Sequence, residues 1–538
     1  MTRKPKNRVL SPDAPLKHND HPHPRTRREF IKQGFMTGTA SVLGGGVFSL
    51  FANPNEAMAA VSDDLQALVD SMPNCTLGGL TGDAKVPFIC FDLAGGANIA
   101  GSNVLVGQGA GQLDNVSTGG FSKMGVPGDM VPGLDSANFT LRNPSINNDF
   151  VNDELNLLFH ADSAMLLGIR EKAGGALGFV DGCVIPARSD NDTGNNPHNP
   201  LYGISLAGGT GDVVDLIGSR NSDSGGNSMS PAALINPEVR PTKVDRSSDV
   251  TGLVDIGNLN GILSDPADVT AVFESIARLT HKKLQVGDVT TGLTNDAVVK
   301  DLMRCGYIKA SDIANRFAGQ DSVAPKDDPL IVPSIFSEAD LLNDNEFDKT
   351  ASIMKLVMNG HSAGGCITMG GYDYHTGDRR TGENRDLRAG RCIGACLNYA
   401  QQLGKPLLIY VFSDGSVFSN GAPDDTDDNG GNLGGKGKGN WTGDNSSTAC
   451  SFMLAFKPSG VISLQRQIGR FSADASVVTS ASPAANNPNL LVNMVVLNYM
   501  AANGQSVSDF ESLYSTNGLS HGLGSGLDSY IAFDKLVP

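Results

Sequence analysis

The chain has 538 residues, a formal net charge of −16 and 65 glycines. Its length suffices for one large domain or several smaller ones, and 40% hydrophobic residues suffice for a packed core. The acidic balance argues against nucleic acid and anionic membranes as partners, because both would repel the protein.

The first 59 residues predict an export signal. Arg27 and Arg28 form a twin arginine, an apolar run follows over 34–52, and the small residues around Ala59 suit a cleavage site. We therefore predict a twin-arginine signal over 1–59 and a periplasmic or secreted mature protein. No later stretch reaches about 18 consecutive apolar residues, so the mature chain is expected to have no membrane span.

The predicted elements begin with a short amphipathic helix over 63–72. The apolar run 86–93 (V-P-F-I-C-F-D-L) has strand length and is the natural first core strand. The run 164–169 (A-M-L-L-G-I) is interpreted as a strand, and 180–187 as a strand or loop. Residues 203–262 are interpreted as short strands and turns that form a small β-rich insertion.

Helical periodicity continues in the second half of the chain, and the predicted elements alternate. Helices are expected over 265–284, 295–305, 338–359 and 384–403, strands over 366–370 and 407–412, an acidic Gly-rich loop over 422–445, apolar runs over 448–456 and 489–500, and a short helix over 509–514. This rhythm predicts one large α/β domain over 60–538, with a mostly parallel sheet flanked by helices.

The cysteine pattern does not define a disulfide framework. There are eight cysteines, an even number compatible with bridges in an exported protein, but no C-x-x-C occurs. We expect several buried free thiols and at most one or two bridges.

Acidic and imidazole side chains follow the strands on either side of the predicted 384–403 helix. Asp373 and His375 come after the first of these strands, Asp414 after the second, and Asp92 lies at the end of the first core strand. The carboxyl ends of parallel strands share one edge of a sheet, where ligands gather. Because carboxylate and imidazole suit Zn²⁺ or Mn²⁺, we predict a divalent-metal site from these four residues.

An esterase triad is an alternative. The stretch G-H-S-A-G-G at 360–365 matches the G-x-S-x-G nucleophile elbow, and Ser362, Asp414 and His521 occur in the chain order of an α/β-hydrolase triad. The elbow requires a strand before the serine and a helix after it. Here the predicted order is helix and then strand, so we prefer the metal site.

A calcium site is a further possibility in the acidic loop. The stretch D-D-T-D-D-N-G at 424–430 is similar to the first half of a calcium-binding loop, with Asp425, Asp427 and Asn429 as candidate ligands. Position twelve is Lys436 rather than Glu, so a solvated acidic loop is the alternative.

The order of these motifs resembles an exported bacterial family catalogued as domain of unknown function 1501, which is grouped with alkaline phosphatases and sulfatases. The similar stretches are 95–98 (G-G-A-N), 370–375 (G-G-Y-D-Y-H), 412–415 (F-S-D-G) and 441–445 (W-T-G-D-N). Tyr374 stands where the family has Thr, Asn98 where it has Asp, and Asn445 where it has His.

The resemblance implies an alkaline phosphatase-like fold and a metal-dependent hydrolase acting on phosphate or sulfate esters. Thr193, beside His198 in the polar loop 190–200, is the best candidate for a catalytic pair. Because Asn98 and Asn445 replace stronger metal ligands, the alternative is a catalytically degenerate binding protein of the same fold. The expected partner is thus a small-molecule ester or a surface ligand.

Overall fold

The structure is a computed structural model. It describes residues 62–71, 85–189 apart from 110, 113 and 115, 196–255, 266–286, 296–317, and 323–537 apart from 462. The predicted export signal and Thr193 lie outside the described residues.

The described strands and helices are numbered separately in chain order. The strands are β1 Phe88–Leu93, β2 Val151–Asn152, β3 Phe159–His160, β4 Val180–Pro186, β5 Leu216–Gly218, β6 Thr242–Lys243, β7 Gly364–Met369, β8 Leu407–Phe412, β9 Val417–Asp424, β10 Lys438–Asp444 and β11 Cys450–Phe456. The helices are α1 Asp63–Asp70, α2 Thr118–Lys123, α3 Ala164–Lys172, α4 Leu201–Leu206, α5 Ser247–Leu253, α6 Pro266–Val286, α7 Asp296–Phe317, α8 Glu338–Asn343, α9 Asn345–Met358, α10 Arg379–Leu403, α11 Pro488–Ala502 and α12 Val507–Thr516.

Seven strands form the main sheet in the order β4-β11-β8-β1-β7-β5-β6. The five adjacent strands β8, β1, β7, β5 and β6 are parallel to one another. Strand β11 is antiparallel to both of its neighbours, β8 and β4. The predicted α/β class with a mostly parallel sheet is confirmed. The strands β5 and β6, which lie within 203–262, extend this sheet and do not form a β-rich insertion of their own.

Helices cover both faces of the sheet. All six residues of β1 are buried. Ile89 and Phe91 belong to the core that includes residues of α3, α9 and α10, while Phe88 and Cys90 belong to the core that includes residues of α4, α11 and α12. Burial on two faces explains why the strand is apolar without alternation. None of the described helices has the length and apolar character needed to cross a bilayer.

The cysteines agree with the prediction of buried free thiols. Among the described residues, the buried free cysteines are Cys90, Cys183, Cys366, Cys392, Cys396 and Cys450. Cys305 is disulfide-bonded.

The strand predicted over 164–169 is wrong, because these residues open helix α3. The side chain of Ser163 accepts a hydrogen bond from Leu166 N and caps the helix. A six-residue apolar run does not by itself distinguish a buried helix from a strand. The serine immediately before it was the usable signal.

The acidic loop predicted over 422–445 is largely a β-hairpin. Strands β9 and β10 pair antiparallel, from Val417 opposite Asp444 to Asp424 opposite Lys438. Trp441 is buried within β10. Glycine and aspartate are depleted in strands, so the composition concealed the hairpin.

Helices α3 and α10 cross at close range through glycines. A Cβ atom at Gly390 would lie 2.0 Å from Met165 O, and one at Gly168 would lie 2.1 Å from Leu387 O. No side chain fits at either position without moving a helix backbone. This crossing fixes α10 against α3.

We expect Gly390→Ala to lower the free energy of unfolding by about 1–3 kcal/mol, because the added methyl overpacks the crossing. The measurement is urea denaturation. Gly178→Ala is the control, since a Cβ atom there meets nothing within 4 Å, and a change of at most about 0.5 kcal/mol is expected. An equal loss at both positions would contradict the close-crossing account.

Candidate metal centre

Three side chains of metal-ligand type converge beyond the carboxyl ends of the parallel strands. His375 Nε2 lies 2.7 Å from Asp373 Oδ1 and 3.8 Å from Asp444 Oδ1. One ligand atom from each residue lies within 4.8 Å of the other two. Ligands of a tetrahedral ion at about 2.1 Å are about 3.4 Å apart, so a divalent ion fits with small side-chain movements. We call Asp373, His375 and Asp444 the candidate metal centre.

The loop between β7 and α10 carries Asp373 and His375. The turn after β1 supports this loop, since Tyr372 N donates to Ala94 O at 3.2 Å. Gly95 has φ of +126°, and a Cβ atom there would lie 2.5 Å from Asp373 N. Glycine therefore allows the two loops to touch through their backbones.

The hairpin carries Asp444, the last residue of β10. Its position relative to the loop is fixed by a hydrogen bond from Gly377 N to Trp441 O of 2.6 Å. The guanidinium of Arg379, at the start of α10, lies 4.4 Å from the centre of the Trp441 ring. These contacts hold the hairpin against the beginning of α10.

A group of five charged side chains lies buried between the hairpin and α10. We call Arg142, Asp162, Arg379, Glu383 and Lys438 the buried ionic cluster. Lys438 Nζ lies 2.9 Å from carboxylate oxygens of both Asp162 and Glu383. Arg142 contacts the same two carboxylates at 2.9 and 2.7 Å. Arg379 Nε donates to Glu383 at 2.8 Å.

The cations of the cluster favour the ionised form of its two carboxyl groups. Burial alone raises the pKa of Asp162, but Lys438 and Arg142 outweigh it and hold that pKa well below its usual range. Burial also opposes ionisation of Glu383, whose pKa is lowered overall by Lys438 and Arg379. Because each buried carboxylate depends on buried cations, loss of one cation leaves charge uncompensated.

Of the four predicted metal ligands, the structure brings Asp373 and His375 together and places Asp92 and Asp414 elsewhere. Asp92 is fully buried, and its Oδ2 accepts from Asn227 N at 2.6 Å and Ser228 N at 2.9 Å. Asp414 Oδ1 accepts from Gly95 N at 2.7 Å. These oxygens satisfy backbone donors, so the two carboxylates hold loops together and do not join the candidate metal centre. Burial raises the pKa of Asp92 to about 6, and the charge of Asp414 acts in the same direction.

Sequence reasoning missed Asp444. It precedes Asn445, at a pair of positions where the resembled family often has Asp-His. The stretch 441–445 that carries the resemblance contains Asp444, and this aspartate was the available signal.

His198 occupies a buried polar site, and Thr193 lies outside the described residues. His198 Nε2 lies 2.8 Å from Ser189 Oγ, and its Nδ1 has no hydrogen-bond partner among the described residues. The ring stacks on Phe412. Burial lowers the pKa of His198 to about 4, so the imidazole is neutral at pH 7. The catalytic pair stays a prediction.

The esterase triad is wrong. Ser362 precedes β7 and Asp414 follows β8, and both strands are parallel to β1 with Phe88 opposite Gly364 and Leu408. The two residues therefore lie at opposite edges of the sheet, about 20 Å apart for strands of this length. Ser362 Oγ donates to the carbonyl of Asp215.

The predicted calcium ligands lie at the exposed end of the hairpin. Asn429 and Asn432 exchange backbone hydrogen bonds of 2.9 and 3.0 Å and close a tight turn. A calcium loop instead wraps its backbone around the ion. Asp425 and Asp427 are exposed, and the structure gives the calcium prediction no support.

Comparison with known proteins gives no assignment: no family model matches the chain, and neither a curated protein nor a solved structure matches it. The family resemblance therefore rests on the quoted motifs alone.

We expect Lys438→Ala to lower the free energy of unfolding by about 3 kcal/mol or more, because Asp162 and Glu383 lose a shared buried cation. The measurement is chemical denaturation at pH 7. The matched control is Lys326→Ala, which removes an exposed lysine and should change stability by at most about 0.5 kcal/mol. Equal stability of the two variants would show that the cluster contributes nothing.

Asp92→Asn tests the effect of burial on this carboxyl group. The folded-state pKa of about 6 exceeds the ordinary value of 3.8, so the contribution of Asp92 to stability is fully present below pH 4. It is lost as pH rises towards 6. The variant cannot titrate, and its stability relative to the natural protein should rise over this interval, by at most about 1.4 kcal/mol per pH unit. The measurement is denaturation at pH 4–7. Parallel profiles would contradict the prediction; Asp129→Asn, at an exposed site, is the control.

Proposed function

We propose that the chain is an exported metal-dependent hydrolase-like protein that acts on phosphate or sulfate esters and has an alkaline phosphatase-like fold. The observation that carries the proposal is the convergence of Asp373, His375 and Asp444. Their place beyond the carboxyl ends of parallel strands is where open α/β sheets bind ligands. The motif resemblance supports the reaction class, and the twin arginine supports export.

The donor set fits a divalent transition metal. One imidazole nitrogen and two carboxylate oxygens suit Zn²⁺ or Mn²⁺. Three protein ligands leave coordination positions open, as catalytic zinc sites require. The side chains are 31% exposed at His375, 70% at Asp373 and 45% at Asp444, so a substrate can approach from solvent.

A bound ion would supply Lewis acidity towards a phosphoryl or sulfuryl oxygen, or would activate water. The role of the protein is to position the ligands. Asp373 and Asp444 provide the negative charge that a cation needs, and His375 provides the nitrogen. Gly95 and Trp441 hold the two ligand-bearing segments in place through the contacts of their backbones.

A second candidate is a binding protein that holds a metal without catalysis. Two residues that replace family ligands serve local structure instead. The side-chain amide of Asn98 donates to Ser102 Oγ, and Asn445 Oδ1 accepts from Ser447 N and Oγ, both at 2.8 Å. The described residues contain one group of three potential metal ligands. Of the two ions that a two-metal mechanism needs, these residues therefore provide a site for one.

We expect the purified mature protein to bind one equivalent of Zn²⁺ or Mn²⁺, measured by isothermal titration calorimetry. His375→Ala and Asp444→Asn should lower the affinity by about tenfold or more, because each removes a ligand. The control is His361→Ala. It removes the histidine of an Asp212–His361 pair, 2.8 Å apart, on a residue that precedes β7 and so lies at the opposite edge of the sheet. A natural protein that binds neither ion would overturn the proposal.

Hydrolysis separates the two candidates. The substrates are p-nitrophenyl phosphate and p-nitrophenyl sulfate, offered to EDTA-treated protein before and after metal is restored. Metal-dependent release of p-nitrophenol that is lost in His375→Ala supports the hydrolase. Stoichiometric metal without hydrolysis of either ester supports the binding protein.

A further inference from the structure

A cleft of about 590 Å³ beside α10 is lined by four arginines. They are Arg380, Arg385, Arg388 and Arg391. At 100° per residue these positions fall within about 140° of the helix circumference, so one face of α10 presents all four. We call this feature the arginine cleft.

The arginine cleft is locally positive in an acidic protein. Its lining contains four arginines but only two carboxylates, Asp344 and Asp378, whereas the whole chain has a net charge of −16. A local excess of positive charge attracts anions despite an opposing net charge when the groups are close together.

Structural ion pairing accounts for half of the arginines. Arg388 pairs with Asp344 at 2.9 Å, and Arg391 with Glu171 at 2.5 Å. Among the described residues, Arg380 and Arg385 take part in no ion pair, and Arg380 is exposed. The guanidinium of Arg380 therefore remains available for an anion from solution, and that of Arg385 has no carboxylate partner and donates one hydrogen bond to Gly370.

The segments that carry the metal ligands also bound the arginine cleft. Arg385 Nη1 donates at 3.3 Å to the carbonyl of Gly370, at the start of the loop that bears Asp373. Residues 431 and 432 of the lining belong to the tip of the hairpin that bears Asp444. The same two segments therefore border the cleft and the metal centre, with residues 431 and 432 at the tip of the hairpin and Asp444 at its base.

We propose that the arginine cleft binds a multivalent anion with two or more phosphate or sulfate groups, and that the ester substrates of the metal centre belong to this class. The substrate assignment rests on the proposed function, whereas anion binding by the cleft does not. Arginine suits this role because its planar fork contacts two oxygens of a phosphate or sulfate group at once.

The test is calorimetric titration of the full mature protein, in EDTA, with two probes: tripolyphosphate and sucrose octasulfate. We expect at least one to bind, with an affinity that falls as NaCl is raised. Arg380→Gln and the double variant Arg380→Gln/Arg385→Gln should lower the affinity progressively, by about tenfold or more for the pair.

Two controls separate this proposal from the proposed function. Arg246→Gln removes an arginine whose side chain is 60% exposed, outside the cleft, and should leave binding unchanged. His375→Ala should also retain binding, because EDTA has already removed any metal. Failure of both probes to bind the natural protein, or equal binding by the Arg380 variants, overturns the arginine cleft. Binding lost in His375→Ala but kept in the arginine variants places the anion at the metal centre and overturns only the cleft.

Discussion

The buried ionic cluster is the interaction on which the candidate metal centre depends. Two ligands precede α10, and the third ends β10, so their distance is set by how the hairpin docks on the helix. Lys438 reaches from β10 to Glu383 on α10, and Arg142 joins the same carboxylate from a third segment. A buried charge pair is stable in few geometries, because displacement leaves a charge without compensation. We infer that ionic pairing inside the protein fixes a site at its surface.

Helix α10 contacts three surroundings, namely α3, the buried ionic cluster and the arginine cleft, with two parts of its circumference. Gly390 and Gly394 allow α3 to approach, since a Cβ at either would meet α3 backbone oxygens at 2.0 and 2.4 Å. Glu383 lies on the same side and enters the ionic cluster. The arginines of the cleft occupy a neighbouring arc of about 140°. From sequence alone, a helix with charges on two sides would be predicted to be solvated all round. In α10 the buried charges are paired, and the exposed arginines face the cleft.

Much of the framework could be predicted from sequence. Strands β1, β7 and β8 are short apolar runs, because both faces of the sheet are buried. Helix α10 shows helical periodicity, because only part of its circumference is buried. The site could be predicted only in part. Asp373 and His375 are close together in sequence. Asp444 reaches them only because the β9–β10 hairpin docks on α10, and the glycine-rich composition of that hairpin did not indicate strands. Nothing local to Asp92 indicates that backbone donors of residues 227 and 228, far along the chain, occupy its oxygens.

The carboxyl edge of the sheet thus has two levels with different roles. At the buried level, Asp92 and Asp414 bind backbone N–H groups and close the loops, which is the usual fate of a carboxylate that lacks solvent. At the exposed level, Asp373 and Asp444 have oxygens open to solvent, and His375 lies between them. Only the exposed level can exchange water for a metal ion without breaking the fold. Asn98 belongs to the buried level: its backbone N–H donates to Tyr374 Oη at 2.9 Å, so the position serves the architecture beneath the metal centre.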